Sequence, residues 1–306
     1  MNAPIVWELG RDANDYPPML HDLNGNEQPH LYGVGDRAAL ARLRDEPAVT
    51  IVGARRASSY GLRVAEDLAR DLALAGVTVV SGMALGIDSA AHRGALAGAG
   101  TTIAVLAGGP DRASPPSNRG LHGELAATGA VISEHPPGSR VEPRHFAQRN
   151  RIMAALGEVV VIVEAAQPSG SLITADVALK LGRTVGAVPG QLGVRVAEGS
   201  NDLLRDGAHL IRDARDVLDL LFGVGLDGPG TPRRAPAPRP GPALDPELGA
   251  ILELVRGGAA TVDRLVADGR LDPRRAAVAL ARLELLGYVR GDLLGAYAPT
   301  GLRAPE

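Results

Sequence analysis

The sequence contains no cysteine, and Lys180 is its only lysine among 32 lysines and arginines. Without cysteine there is no disulfide framework, zinc ribbon or iron–sulfur site, which fits a reducing compartment and makes the cytoplasm the expected location. Long apolar runs are missing too. The most apolar stretch, Val159 to Val163, is far too short to cross a bilayer, and no basic flank followed by an apolar core marks a secretory leader, so membrane insertion is not expected. Nor is there an overall basic excess: the net charge is −3 and the pI about 6.2, so any site for a polyanion must be local. Several engines of catalysis are absent. The Walker lysine is missing, because Lys180 lies between Leu179 and Leu181; the turn that follows the first strand, from Gly53 to Gly61, lacks Gly-x-Gly-x-x-Gly, and neither Gly-x-Ser-x-Gly nor His-Glu-x-x-His occurs. The chain is therefore read as a protein without catalytic residues, cofactor or metal.

What is present is 306 residues with 45% apolar content, enough for one large domain and a small one. Residues 1–47 show little periodicity and read as an irregular lead-in that caps the core. From Val49 the texture changes. Apolar strands at 49–53, 77–81, 101–106, 130–133, 159–164 and 184–188 alternate with helical spacing at 60–75, 86–99, 118–128, 147–156 and 172–181. That alternation predicts an α/β domain over 48–222, Rossmann-like, with a mainly parallel sheet and helices on both faces. In such sheets ligands bind beyond the carboxyl ends of the strands. Residues 223–243, rich in glycine, proline and arginine, read as a linker. Residues 244–306 carry three helical segments and two short strands, the order of a small winged-helix-like domain.

Candidate binding residues lie in the loops after those strands. In the first, Gly53-Ala54-Arg55-Arg56 leads into Ser58-Ser59: glycine lets backbone amides approach an anion, and a helix start adds partial positive charge. An ordinary turn with solvated arginines would look the same. The second loop, Ser81-Gly82-Met83-Ala84-Leu85-Gly86, opens another helix. There Asp88 and His92 stand four apart, which is more often a local hydrogen bond than a catalytic pair. A third segment carries Arg140, Arg144, Phe146, Arg149, Asn150 and Arg151. An aromatic among cations suits a surface that stacks bases and holds phosphates, although a structural phenylalanine ringed by salt bridges is the plain alternative. A fourth, Ser169-Gly170-Ser171 followed by Thr174, offers hydroxyls and amides at a helix start, or simple capping.

Taken in order, Val52-Gly53-Ala54-Arg55, Ser81 to Asp88 with Ala91-His92, Thr102 to Leu106, Phe146 with Arg149-Asn150-Arg151, and Ser169-Gly170-Ser171-Leu172 with Thr174-Ala175 resemble the DNA-processing protein A (DprA/Smf) family. Tyr16-Pro17, Leu31-Tyr32 and Val188-Pro189-Gly190 extend the likeness. The resemblance implies a cytoplasmic protein that binds and protects single-stranded DNA during natural transformation or recombinational repair. It also implies loading of the RecA recombinase and a homodimer joined through the Rossmann-like domain. By match, Arg55, Phe146, Arg149 and Arg151 inherit the DNA pocket, and Arg56 and Arg144 less directly. Ser58, Ala147 and Ser114-Pro115 depart from the residues commonest in the family without removing a charge. With only fifteen residues before Tyr16, the helical domain that often precedes this point is not expected. Two alternatives stand beside this reading. One is a nucleotide-processing Rossmann-like hydrolase, whose Pro-Gly-Gly-x-Gly-Thr-x-x-Glu loop Val188-Pro189-Gly190-Gln191 fails at the second glycine. The other is a recombination scaffold with secondary DNA binding.

Overall fold

The computed structural model describes residues 5–24, 27–223, 242, 244–257, 261–269, 272–291 and 296–299. It divides into two compact units, 1–231 and 232–306. Apart from Gly223 and Pro242, the expected linker at 223–243 lies outside the described residues.

In chain order the first unit runs β1 (Trp7–Leu9), β2 (Leu31–Gly35), α1 (Ala38–Arg42), β3 (Ala48–Val52), α2 (Ser59–Leu74), β4 (Thr78–Ser81), α3 (Ile87–Ala97) and β5 (Thr102–Val105). It continues with α4 (Arg119–Thr128), β6 (Ala130–Ser133), α5 (Pro143–Leu156), β7 (Val159–Ile162), α6 (Gly170–Lys180), β8 (Thr184–Ala187), α7 (Glu198–Arg205), β9 (His209–Leu210) and α8 (Ala214–Phe222). The strands form one sheet of order β1-β2-β6-β5-β4-β3-β7-β8-β9. From β6 to β9 every pairing is parallel.

The central strands are buried on both faces: most of their residues are apolar, and their few hydroxyl residues, such as Thr50 and Thr102, are buried as well. In β7, Val160 and Ile162 join the core under α5 and α6, while Val159 and Val161 join the core under α2, α3 and α8. This is the two-residue period of a strand read against two apolar layers. The layer of α2 against α3 needs small residues: a Cβ on Gly94 would overlap the Glu66 carbonyl.

The lead-in is more regular than its sequence suggests. β1 pairs antiparallel with β2, and β2 pairs antiparallel with β6, so these residues extend the sheet. Trp7 lies against Gly33, where no side chain would fit, and its indole donates to the Gly35 carbonyl at 3.0 Å. Tyr16 is buried and donates to the Pro29 carbonyl at 2.8 Å. Arg183 ties the lead-in to the core, donating to Asp22 at 2.6 Å and to the Ala155 carbonyl at 3.0 Å. Glycines at 33 and 35 and a three-residue β1 hide these strands from periodicity.

The second unit holds α9 (Pro246–Arg256), α10 (Val262–Gly269), α11 (Pro273–Leu285) and an antiparallel pair, β10 (Val289–Gly291) with β11 (Tyr297–Pro299). Asp245 and Asp272 accept from the first amides of α9 and α11, each with proline at the first helical position. Leu248, Ile251, Leu252, Leu265, Leu280, Leu283 and Tyr288 fill its core. Three helices followed by a two-stranded wing are the expected winged-helix arrangement.

Candidate nucleic-acid interface

Chain order reverses at β3. From it the chain winds out through β4, β5 and β6 on one side, and returns to β7, β8 and β9 on the other. The crevice beyond the carboxyl ends of β3 and β7 is therefore the topological switch point, where open α/β sheets place ligands. A cavity of about 250 Å³ opens there, lined by Gly53, Arg55, Asp88, Phe146, Arg149, Asn150, Ser169, Gly170, Ser171 and Thr174 among others. A second cavity of about 110 Å³ adjoins it, lined by Arg55, Gly82, Leu85, Pro115, Phe146 and Arg149. The two share Arg55, Ala84, Phe146 and Arg149. Arg55 and Phe146 make a partition between them, with the guanidinium carbon 4.6 Å from the ring centroid, a cation–π contact.

α5 supplies the floor. Glu142 and Pro143 start it four residues earlier than the spacing suggests, with proline at the first helical position and the Glu142 amide donating to His145 Nδ1 at 3.3 Å. Arg149 is 5% exposed; its Nη1 donates to the Val105 carbonyl at 3.0 Å and lies 3.9 Å from Asp88 Oδ2, and its Nε has no partner. Gly82 makes room for it, because a Cβ there would overlap Nη1. Burial pushes the Asp88 carboxyl above its usual range, opposed by the charge of Arg149 and by the backbone amides of Ala84 and Gly53. Asn150 donates to the Gly170 carbonyl at 3.0 Å, fixing the start of α6 against α5. No side chain caps α6, and its first residues line the cavity, so its amides face the space where an anion would sit.

The start of α2 differs. Buried Glu164, just past β7, accepts from both the amide and the hydroxyl of Ser58. The protein's own carboxylate thus occupies the helix start expected to hold a phosphate. Gly61 is required beside it, since a Cβ would meet the Glu164 carboxyl. No local sequence signal joins Glu164 to Ser58 across 106 residues.

Other candidates take other places. Ser81 is buried and donates to the Ile51 carbonyl at 2.6 Å, joining β4 to β3. Gly86, with φ of 80°, lets the second loop close on the first, Ile87 N donating to the Ala54 carbonyl at 3.2 Å. Arg56 is exposed. Arg144 pairs with Glu142 at 3.0 Å, and Arg151 is turned toward an ion pair with Glu134. Neither is in the cavity lining.

Asp88 and His92 are not bonded to each other. His92 is fully buried, its Nδ1 2.7 Å from Thr102 Oγ1, and burial pulls its pKa down to about 3. The unfolded chain therefore binds a proton here below about pH 6.5 that the folded chain refuses until about 3. Stability falls as pH drops through that window, by up to about 1.4 kcal/mol per pH unit. Urea midpoints at pH 7 and 5 check this: a midpoint unchanged on acidification contradicts it. Among the described residues no cluster of three metal-ligating side chains occurs, and no helix is long and apolar enough to cross a membrane.

Comparison with known proteins places the chain in a family. Residues 8–222 match the family described as DNA recombination-mediator protein A, and residues 235–291 match the DprA winged helix domain. The putative DNA processing protein DprA of Mycobacterium tuberculosis is 42% identical over 245 residues, covering 78% of this chain and 61% of that protein. This chain thus spans about three fifths of that relative's length. Protein Smf of Synechocystis is 33% identical over 92% of this chain and 77% of its own. The crystal structure of DNA processing protein A from Streptococcus pneumoniae superposes with a TM-score of 0.64 at 35% identity, covering 69% of this chain and 73% of that one. The Helicobacter pylori protein, studied for its single-stranded DNA binding mode, gives 0.63 at 31%, covering 71% and 95%. The chain belongs to the DNA recombination-mediator protein A family, DprA/Smf.

Proposed function

We propose that the first unit binds single-stranded DNA at the switch-point crevice, protects it, and delivers it to the RecA recombinase in transformation or repair. The observation that carries this reading is the cavity itself. The start of α6 and the partly unsatisfied Arg149 converge on a space suited to one phosphate, and Phe146 under Arg55 borders a second space suited to a base. Phosphates position such a strand and aromatic stacking tolerates any sequence. The H. pylori relative, known for its single-stranded DNA binding, supports the choice of ligand. The role is binding without chemistry, carried by a homodimer joined through the first unit. Its client is RecA, in line with the family's description as a recombination mediator.

The experiment is a gel-shift series with single-stranded and duplex oligonucleotides at rising salt. Contact with about four phosphates gives a slope of log affinity against log salt near −2.8 on single strands, and single strands compete far better than duplex. A slope near zero, or equal competition by duplex, overturns the reading. For the later step, RecA filaments form faster on strand carrying this protein than on strand coated with an unrelated single-strand-binding protein.

A further inference from the structure

A site for a polyanion has a carboxylate in its floor. Asp88 is 4% exposed and lines the larger cavity beside Arg149. The two are close without being hydrogen-bonded: 3.9 Å separates Oδ2 from Nη1, Nη1 is given to the Val105 carbonyl, and Nε is unpartnered. Asp88 is the counter-charge that lets Arg149 remain buried as a cation. A phosphate seated against Arg149 and the start of α6 brings a second negative charge into that space. Two anions then share one buried cation, and the one that can shed its charge by taking a proton is the carboxylate, since a phosphodiester does not titrate near neutrality. The charged groups facing Asp88 are Arg149 from α5 and Arg55 from the β3–α2 loop. On its own helix, His92 is turned to Thr102 and held neutral.

Resting on the single-stranded DNA reading above, we propose that Asp88 is an exchangeable counterion of Arg149 that yields its place to the strand's phosphate by taking up a proton, so that strand binding is coupled to proton uptake. The proton comes from the buffer and adds to one Asp88 oxygen; no other bond changes. Burial, which already raises the Asp88 carboxyl in the free protein, makes this the less costly route than expelling either charge. By linkage, affinity rises as pH falls, by up to about tenfold per pH unit for a full proton taken up. It levels off where Asp88 is already protonated in the free protein.

The test is calorimetric titration of the full chain with an oligothymidine lacking a terminal phosphate, at pH 6.5 in buffers of differing ionisation enthalpy. The wild-type protein takes up a fraction of a proton per strand bound. Asp88→Asn keeps the acceptor toward the Ala84 amide; it binds with that uptake lost and with a flatter pH profile. Equal uptake in both proteins, or none in the wild type, overturns the proposal. Absence of any strand binding by the wild type overturns instead the assignment of the crevice to DNA. Should Asp88→Asn fail to fold, infrared difference spectra of wild-type protein carrying carboxyl-labelled aspartate decide. A protonated carboxyl appearing on strand addition supports the coupling, and an unchanged carboxylate band overturns it.

Discussion

Arg149→Ala is expected to lose about 3 kcal/mol of folding stability together with its strand affinity, because removing one partner of a buried ion pair leaves the other charge stranded. The side chain is buried and spans from Asp88 to the Val105 carbonyl, so the loss includes an unpaired carboxylate and an unsatisfied backbone acceptor. The loss also carries a pH signature. Without Arg149, the raised Asp88 pKa rises further above its unfolded value, and a folded-state pKa raised in this way withdraws stability as pH climbs through it. The variant is therefore relatively less impaired in mild acid than at pH 8. Urea unfolding at two pH values measures this. An Arg149→Ala protein as stable as wild type at pH 8 contradicts the buried-pair account.

Phe146→Ala and Arg55→Ala separate the two halves of the partition, and both are expected to leave the fold intact, since Arg55 is exposed and Phe146 only half-buried. Loss of the ring costs roughly 1–3 kcal/mol of binding, the range for one stacked base, which is about 5- to 150-fold in affinity. Its salt slope stays that of wild type. Loss of Arg55 makes the slope shallower by about 0.7, one phosphate's worth. The double variant should fall short of the sum of the singles, because the Arg55–Phe146 contact is already gone in each. Two equal, additive losses with identical slopes rule out the division of labour between ring and charge.

Much of this was legible in the sequence, for a reason that also explains the gaps. The parallel core announces itself through strands such as Val159 to Ile162, apolar at every position because both faces are covered. The crevice loops announce themselves through glycines that close approach requires, of the Arg149 side chain at Gly82 and of the Ala54 and Arg55 backbone at Gly86. What chemistry sits in the loops is local; what each charge points at is not. Yet the burial of Arg149 had a local signal. His145, Arg149, Ile152, Met153 and Leu156 are all buried and follow the spacing of one helical face, whereas Arg151 lies off that stripe and meets Glu134 instead. The Glu164 carboxylate at the start of α2 had none, because it arrives from a strand more than a hundred residues away.

The sheet ends in β1, three residues long, at one margin and β9, two residues long, at the other. Margins this short offer almost no free backbone for a foreign strand to copy, which protects a long parallel sheet against runaway edge-to-edge growth while it folds. The same brevity limits self-association through backbone pairing. A second copy meeting the β9 margin finds the exposed side chains of His209 and Leu210 rather than a ladder, so any dimer made there is held by interlocking side chains and can be dissolved by a single charge placed at Leu210.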